Sequence, residues 1–345
     1  MNVEVLVAPG EFASREIPRP DPTPHEVLIE VAAVAICGSD LAAYQGRHPA
    51  ILPPTVLGHE FSGRIASVGS QVAGFADGDP VCVDPTFGCG NCRHCKRGRA
   101  NICDSYTVMG RRLSFPGAMA GFVSVPADHV YRLPPNVDLE AAALVQPLSV
   151  GYHAAVHRGR VQKDAVILIA GGGAVGMGIL MAAKEAGAIA IVTDMIESRR
   201  VLARELGADI AVDPASEDLA GVVAGATDGY GVDIAFEAVG GSSDQVLLQL
   251  INLTSRGGTT VVVGLKTDQA RIPVKEMKYT EKTITGSQAH PDSFSEVIER
   301  IGDGRFQAGR LISHRLPFVK VADAFDILDG QRDGVMKIIL TPGRP

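Results

Sequence analysis

VILIAGGGAVG, residues 166–176, joins an apolar, β-branched run to a G-x-G-x-x-G motif. The run Val166–Ile169 predicts a buried strand and Val175–Gly187 predicts a helix, so the glycines occupy the turn between them. There the first glycine permits the turn, the second lets a pyrophosphate approach the backbone, and the third lets the helix pack on the strand. The helix N-terminus then faces the anion. The predicted cofactor contacts in this turn are Gly171, Gly173, Ala174, Val175 and Gly176.

Asp194 follows the next predicted strand, at the position where a carboxylate binds the ribose hydroxyls of an adenosine. Such a carboxylate also repels a 2′-phosphate. Arg199 complicates the choice of cofactor, since an arginine can recruit the 2′-phosphate of NADP or simply flank the adenosine. Because Asp194 lies at the strand tip itself, we predict NAD. Val263 and Gly264, at the end of a later predicted strand, are further predicted cofactor contacts.

Strand and helix patterns alternate between about residues 164 and 287, which predicts a parallel sheet covered by helices on both faces. The later elements of this pattern are a strand at Asp233–Glu237, a helix at Ser243–Ile251 and a strand at Thr259–Val263. The segment from Val3 to about Pro126 has short apolar runs interrupted by proline and glycine, which predicts a β-rich domain. After His290 the pattern loosens, beginning with a predicted helix at Asp292–Ile301, and we expect the last segment to return to the first domain. The predicted fold is α/β, with a β-rich domain at 1–150 and 290–345 and a doubly wound Rossmann domain at 151–289.

Four cysteines in the segment 89–103 have the spacing C-x2-C-x2-C-x7-C, which is typical of metal ligands. Turns at this spacing point the thiolates towards one ion at about 2.3 Å, as a closed tetrahedral zinc site requires. Disulfide bonds are the alternative, but no secretory signal precedes these cysteines. We therefore predict a structural zinc lobe with the ligands Cys89, Cys92, Cys95 and Cys103.

The charge of the chain limits its partners. A net charge of −7 and a pI near 5.7 argue against a nucleic-acid or anionic-membrane partner, because no basic excess can neutralise phosphates. Small molecules are the predicted ligands.

The uncharged stretch Ala165–Ala183 approaches membrane-spanning length, but its glycines indicate a strand, a turn and a helix. The amino terminus lacks the basic and apolar regions of a secretory signal, so the expected compartment is the cytoplasm.

Cys37, His59 and Glu60 form a second group of possible metal ligands, upstream of the cysteine lobe. One thiolate, one imidazole and one carboxylate give three protein ligands, and an open fourth position is characteristic of catalytic zinc. Each residue alone has a structural explanation, as a core cysteine, a buried histidine or a surface charge. Their significance depends on the motifs around them.

These motifs together resemble the zinc-dependent medium-chain dehydrogenase/reductase family, most closely its sorbitol (polyol) dehydrogenase branch. The resemblance covers essentially the whole chain. The matching motifs are CGSD at 37–40, GHE at 58–60, the cysteine lobe at 89–103, QPLSVG at 146–151, GGGAVG at 171–176 and TD at 193–194. The resemblance implies a GroES-like catalytic domain, a Rossmann domain, two zinc ions per chain, NAD and a homotetramer or homodimer.

The resemblance also implies roles for single residues. Cys37 and His59 are expected to bind the catalytic zinc, with Glu60 as a ligand or a near neighbour, and Ser39 is expected to hydrogen-bond the substrate hydroxyl. Gln146 stands at a further zinc-ligand position, where the polyol branch typically has glutamate.

Ala42 stands where the family usually has histidine, which leaves Tyr44, His48 or water as the end of a proton relay.

The predicted function is zinc-dependent hydride transfer between NAD and a secondary alcohol, namely a polyol, a sugar acid or a vicinal diol. Within the same class, an L-threonine 3-dehydrogenase is the nearest alternative. Outside that class, a zinc hydrolase could use Cys37, His59 and Glu60 without a nicotinamide. A non-catalytic relative that binds zinc and a dinucleotide is the remaining alternative.

Overall fold

The computed structural model describes residues 1–241, 244–264, 267–291 and 293–342. Contacts within the chain divide it into two compact units. The first unit consists of Met1–Gln146 and Phe294–Pro345, and the second is Pro147–Ser293. The sequence placed these junctions at 150 and 290.

The strands of the described residues are β1 (Asn2–Ala8), β2 (Glu11–Glu16), β3 (Glu26–Ala35), β4 (Thr55–Val56), β5 (Glu60–Val68), β6 (Pro80–Val83), β7 (Thr86–Phe87), β8 (Thr107–Val108), β9 (Phe122–Pro126), β10 (Val130–Arg132), β11 (Val166–Ala170), β12 (Ile189–Thr193), β13 (Ile210–Val212), β14 (Val232–Glu237), β15 (Thr254–Val262), β16 (Thr283–Gly286), β17 (Ile312–Pro317) and β18 (Lys337–Thr341).

The α-helices of the described residues are α1 (Gly38–Tyr44), α2 (Leu139–Ala142), α3 (Val145–Tyr152), α4 (Ala174–Glu185), α5 (Glu197–Glu205), α6 (Leu219–Ala226), α7 (Gln245–Leu253), α8 (Val274–Thr280), α9 (Phe294–Gly302) and α10 (Val321–Asp329). Short 3₁₀ turns occupy Cys95–Arg97, Ala100–Ile102, Ala127–His129, Ala308–Leu311 and Phe318–Lys320, and a π-helical segment occupies His153–Gly159.

The second unit is built on a six-stranded parallel sheet with the order β13-β12-β11-β14-β15-β16. Strand β11 is central, and Ile167, Leu168 and Ile169 are fully buried, as expected for a strand covered on both faces. Successive strands run outward from β11 in one direction and from β14 in the other. The strand order therefore reverses between β11 and β14, and ligands of such sheets bind beyond the carboxyl ends of the strands at this reversal.

The first unit is built around β3, in which seven of the ten residues are buried. Strand β3 pairs antiparallel with β5 along its length and with β9 along its first half. Strand β18, from the end of the chain, pairs with the last residues of β3, with Ile339 opposite Ala35. The carboxyl-terminal segment thus completes the sheet of the first unit.

Several predicted elements differ from the structure at their ends. The strand predicted at Thr259–Val263 begins earlier and ends at Val262, so Val263 lies in the following loop. The helix predicted at Ser243–Ile251 is Gln245–Leu253, and Ser243 lies outside the described residues. The helix predicted at Asp292–Ile301 is Phe294–Gly302, and Asp292 also lies outside the described residues.

Among the residues that the structure describes, none of the helices has the length and apolar content needed to span a bilayer. The uncharged stretch 165–183 instead contains β11, the glycine turn and most of α4, as predicted.

Candidate metal centres and dinucleotide site

The four cysteines of the lobe converge, with all four Sγ atoms within 4.8 Å of one another. The Sγ atoms of Cys92 and Cys95 are 3.5 Å apart, far beyond the length of about 2.05 Å of a disulfide bond. Ligands about 2.3 Å from one zinc ion lie about 3.8 Å apart in a tetrahedron, so this spacing fits zinc. The cysteines are free thiols in the structure.

Backbone N–H groups in the lobe point at the sulfur atoms. The N–H of Cys89 donates to Cys103 Sγ at 3.3 Å, and the N–H of Cys92 donates to Cys89 Sγ at 3.3 Å. The N–H groups of Asn91 and Cys92 lower the pKa of the Cys89 thiol to about 6. Because thiolates are the metal-binding form of cysteine, this arrangement prepares the lobe for a cation.

Cys82, which the sequence left outside both motifs, lies on β6 and is 1% exposed. Burial raises the pKa of its thiol, as expected of a small core residue.

The second group also converges. One ligand atom each from Cys37, His59 and Glu60 lies within 4.8 Å of the others. The pairing of β3 with β5 explains this meeting, because Ala35 lies opposite Glu60 and Cys37 follows two residues after Ala35. Gly58 supports the turn before His59: its φ is +97°, and an added Cβ would lie 2.8 Å from Val34 Cγ1.

Asp40 is a member of this site to which the sequence assigned no role. It is 1% exposed, and its carboxylate accepts a hydrogen bond from the N–H of Cys37 at 3.0 Å. The other oxygen lies 3.5 Å from Nδ1 of His59. A carboxylate on Nδ1 orients the ring and leaves Nε2 available as a metal ligand. The sequence signal for Asp40 was its place as the last residue of the CGSD motif, three residues after Cys37.

Lys337, on β18, is the second residue that the sequence did not reveal. Its Nζ donates a hydrogen bond to Glu60 Oε2 and another, of 2.9 Å, to the carbonyl of Ile36. Lys337 is buried, so this ion pair is shielded from solvent. Oε2 of Glu60 is thus engaged by a lysine from the far end of the chain.

The electrostatics of this site favour positive charge. Burial alone lowers the pKa of His59 and that of Lys337, but nearby anions outweigh burial and raise both values. Asp40 and Cys37 act on His59, while Glu60 and Cys37 act on Lys337. A buried place that stabilises two cationic side chains, and that offers sulfur, nitrogen and oxygen donors, fits a divalent zinc ion.

Ser39 and Gln146, the other predicted site residues, are both half-buried. Ser39 lies in the first turn of α1, two residues after Cys37. Gln146 lies in α3, and its side chain makes no hydrogen bond with any described residue. Their roles at the metal stay predictions.

The two side chains considered as ends of a proton relay are engaged locally. Nδ1 of His48 accepts the N–H groups of Ala50 and Ile51, both at 3.1 Å. The hydroxyl of Tyr44 donates to Asp326 Oδ1 at 3.3 Å. These bonds fix both side chains to neighbouring backbone and to α10.

The glycine turn of the second unit lies at the carboxyl end of β11 and leads into α4. An added Cβ on Gly176 would lie 1.9 Å from the carbonyl oxygen of Gly171, so only glycine allows this closeness of helix and strand. An added Cβ on Gly173 meets no protein atom within 4 Å. This open space, at the N-terminus of a twelve-residue helix, fits a pyrophosphate.

Asp194 follows β12 and is bonded to the glycine turn. Its Oδ2 accepts the N–H of Gly172 at 2.9 Å, and its Oδ1 accepts the N–H of Ile196 at 2.9 Å. Arg199 Nη1 lies 3.5 Å from Oδ2. A carboxylate is therefore held beside the turn, where ribose hydroxyls can donate to it.

Glu237, at the end of β14, was also missed by the sequence reading. It is 1% exposed, and its Oε1 accepts the N–H groups of Val239 and Gly240 at 3.1 and 3.2 Å. Its Oε2 accepts the N–H of Gly264 at 2.9 Å. The backbone carbonyl of Glu237 also accepts the N–H groups of Val263 and Gly264, both at 3.0 Å. Glu237 thus fixes the loop that contains both later predicted cofactor contacts.

Comparison with known proteins places this geometry in a family. The profile of the alcohol dehydrogenase GroES-like domain matches residues 23–135, and that of the zinc-binding dehydrogenases matches residues 174–303. Sorbitol dehydrogenase of Bacillus subtilis (strain 168) is 33% identical, with 100% of this chain and 98% of that protein covered. The chain belongs to the zinc-type alcohol dehydrogenase family. L-galactonate-5-dehydrogenase of Escherichia coli (strain K12) is 32% identical, with 94% of each chain covered.

Solved structures agree with this zinc-type alcohol dehydrogenase assignment. A zinc-binding dehydrogenase from Sinorhizobium meliloti 1021 bound to NADP has a TM-score of 0.91 and 29% identity, with 99% of each chain covered. An alcohol dehydrogenase from Escherichia coli CFT073 in complex with NADH has a TM-score of 0.89 and 28% identity, also with 99% of each chain covered. The predicted family and the predicted fold class are confirmed.

Proposed function

We propose that this chain oxidises a secondary alcohol to a ketone, with NAD as cofactor and a zinc ion held by Cys37, His59 and Glu60. The proposed substrate is a polyol, a sugar acid or a vicinal diol. The observation that carries the proposal is the convergence of these three ligand atoms within 4.8 Å. Relatives named for sorbitol and for L-galactonate support the substrate class.

The roles of the residues near the metal follow from their chemistry. Cys37 and His59 hold the metal, Asp40 orients the imidazole, and Glu60 contributes a carboxylate as a ligand or as a neighbour paired with Lys337. Gln146 is proposed as a further, neutral ligand. A zinc ion at this site supplies a Lewis acid, which lowers the pKa of a substrate hydroxyl.

Ser39 is proposed to hydrogen-bond the substrate hydroxyl and to pass its proton outward. Its place in the first turn of α1, next to the metal ligand Cys37, supports this role.

The residues of the second unit bind the cofactor in this proposal. The N–H groups of the turn Gly171–Gly176 and the start of α4 receive the pyrophosphate, and Asp194 accepts hydrogen bonds from the adenosine ribose. Arg199 flanks the adenosine, and Val263 and Gly264 contact the cofactor from the loop after β15. NAD supplies the hydride acceptor.

The lobe cysteines are proposed to bind a second, structural zinc ion, because a site closed by four sulfur ligands leaves no position for substrate. By family resemblance we also propose a homodimer or a homotetramer. Light scattering of the purified protein tests the assembly.

The test of the proposed function is NADH formation by zinc-loaded protein with sorbitol, gluconate, 2,3-butanediol, L-threonine and 2-propanol. We expect turnover with a polyol, an aldonate or a diol. Cys37→Ser should lower kcat/KM by about a hundredfold or more, since Lewis-acid stabilisation contributes several kcal/mol. The matched control Cys82→Ser should retain activity.

Other outcomes distinguish the alternatives. L-threonine as the best substrate would identify an L-threonine 3-dehydrogenase instead. Zinc-dependent ester cleavage without NADH binding would identify a hydrolase. If fully zinc-loaded protein shows no NADH formation and no ester cleavage, this result would favour a non-catalytic relative.

A further inference from the structure

A cavity of about 540 Å³ lies in the first unit, and its lining includes two arginines that have no part in the proposed metal chemistry. Arg111 and Arg112 share its wall with Asp104, Tyr106 and Ser114. The two guanidinium groups make this a place where a small anion can be surrounded by donors. Such concave sites with a few polar groups are typical of ligand binding.

The loop that carries the arginines, residues 111–116, is attached at both ends to the backbone that leads to His59. At one end, Thr55 Oγ1 donates to the carbonyl of Gly110 at 3.0 Å. At the other end, the N–H of Gly117 donates to the carbonyl of Val56 at 2.8 Å, and the N–H of Ala118 donates to that of Gly58 at 2.8 Å. The arginines therefore lie on a segment anchored directly before a metal ligand.

The loop is also held from within. The N–H of Phe115 donates to the carbonyl of Arg112 at 2.9 Å. The Phe115 ring packs edge-on against the Phe87 ring, with 4.7 Å between the ring centres. The guanidinium carbon of Arg111 lies 5.1 Å from the centre of the Tyr106 ring. Packing on an aromatic face limits the positions that Arg111 can adopt.

Neither guanidinium is neutralised by the protein. Within the described part of the chain, Arg111 and Arg112 form no ion pair, and Asp104 of the same cavity is not within 4.0 Å of either. Other arginines of the chain do have carboxylate partners, for example Arg132 with Asp79 at 2.6 Å. Two like charges in the lining of one cavity repel each other, and a bound anion offsets that repulsion.

We propose that Arg111 and Arg112 bind the carboxylate or phosphate group of the substrate, which makes this chain selective for an anionic polyol derivative. Guanidinium groups suit this task because their planar donors match both oxyanions with two parallel hydrogen bonds. The anionic end of an extended substrate is held in the cavity while its hydroxyl group is oxidised at the proposed metal site. This proposal rests on the proposed function and specifies its substrate class.

Binding without turnover is the first test. Inorganic phosphate, gluconate, sorbitol 6-phosphate and sorbitol are titrated into zinc-loaded protein at constant ionic strength, by calorimetry. We expect Arg111→Gln and Arg112→Gln each to weaken binding of the preferred anion about tenfold or more, since hydrogen bonds to charged groups are strong. Binding of sorbitol should not change. If the glutamine substitutions weaken the binding of gluconate most, the cavity is a carboxylate site. If they weaken the binding of inorganic phosphate and sorbitol 6-phosphate most, it is a phosphate site.

Arg19→Gln is the matched control. The Arg19 guanidinium also lies over an aromatic ring, 4.2 Å from the centre of Phe122, but outside the cavity. The Arg19→Gln variant should bind all four compounds with the same affinity as the parent protein. Arg111→Lys and Arg112→Lys keep the charge and should retain more anion binding than the glutamine variants. Equal anion affinity in the parent and both glutamine variants would overturn the proposal, as would an equal loss in Arg19→Gln.

Kinetics then connect the cavity to the reaction. For an anionic substrate, Arg112→Gln should raise KM about tenfold or more with a smaller effect on kcat, and a neutral polyol should show no change. Equal losses for anionic and neutral substrates would contradict the role in selectivity. NADH binding and zinc content are measured separately, so a failure of the proposed oxidation is distinguished from a failure of the anion site.

Discussion

Glu237 links two loops at the carboxyl edge of the parallel sheet, and its replacement by glutamine is a sensitive test of how the cofactor site is held. The carboxylate accepts three backbone N–H groups at 2.9 to 3.2 Å, from Val239, Gly240 and Gly264. Glutamine has nearly the same shape but only one acceptor oxygen. Its NH₂ group cannot accept the N–H group that faces it.

The magnitude follows from these contacts. Glu237 is 1% exposed, so water does not replace a lost partner. One charge-assisted hydrogen bond is lost outright and the remaining two lose the charge, which costs about 3 kcal/mol of local stability. Since 1.4 kcal/mol corresponds to a factor of ten, the loop after β15 should open about a hundredfold more often. Weaker NADH binding should accompany this change, because Val263 and Gly264 are proposed cofactor contacts.

Hydrogen exchange measured by mass spectrometry gives the readout. Glu237→Gln should speed exchange of peptides that contain Gly240 and Gly264. Asp233→Asn is the matched control: Asp233 lies at the other end of β14, and its Oδ2 accepts the N–H of Val166 at 2.8 Å. It should affect exchange near Val166 but not near Gly264. Unchanged protection of Gly264 in Glu237→Gln, or the same loss in Asp233→Asn, would refute the reasoning.

Three further predictions concern the lobe and the cofactor. Cys89→Ser should lower the zinc content by one ion per chain, whereas Cys82→Ser should leave it unchanged; equal zinc contents by metal analysis would contradict the lobe site. In zinc-free protein, alkylation of Cys89 by iodoacetamide should slow as the pH falls below about 6, because protonation removes the reactive thiolate. If the rate of alkylation instead has its pH midpoint near 9, the backbone N–H groups do not lower the pKa of this thiol. Asp194→Ser should lower the ratio of kcat/KM for NAD to that for NADP about tenfold or more, by steady-state kinetics, because a charge-assisted hydrogen bond to the ribose is lost; an unchanged ratio would show that Asp194 does not select the cofactor.

Sequence patterns could predict those parts of the protein in which the interacting residues are close together in the sequence. The lobe cysteines lie within fifteen residues, so their turns bring them to one point. The glycine motif was predicted to lie between a strand and a helix, and the structure has β11 before it and α4 after it. Asp138 stands directly before α2 and caps that helix, because its carboxylate accepts the N–H of Ala141, three residues later, at 3.1 Å.

Residues brought together by sheet pairing could not be found in this way. Lys337 reaches Glu60 only because β18 returns to pair with β3, a contact between residues 277 positions apart. Glu237 lies within a predicted strand, where its role depends on a loop more than twenty residues later. Arg111 and Arg112 belong to no sequence motif, and only backbone hydrogen bonds of the folded chain anchor their loop beside Gly58. These contacts depend on which strands pair and where loops attach in the folded chain, and local sequence spacing does not contain that information.

Anomalous diffraction from crystals of zinc-loaded protein, recorded on both sides of the zinc absorption edge, tests the catalytic metal most directly. Two peaks per chain are expected: one among the four lobe cysteines, and one about 2.3 Å from Cys37 Sγ and about 2.1 Å from a ring nitrogen of His59. A peak in the lobe alone, with none between Cys37 and His59 in fully loaded protein, would contradict the proposed catalytic site.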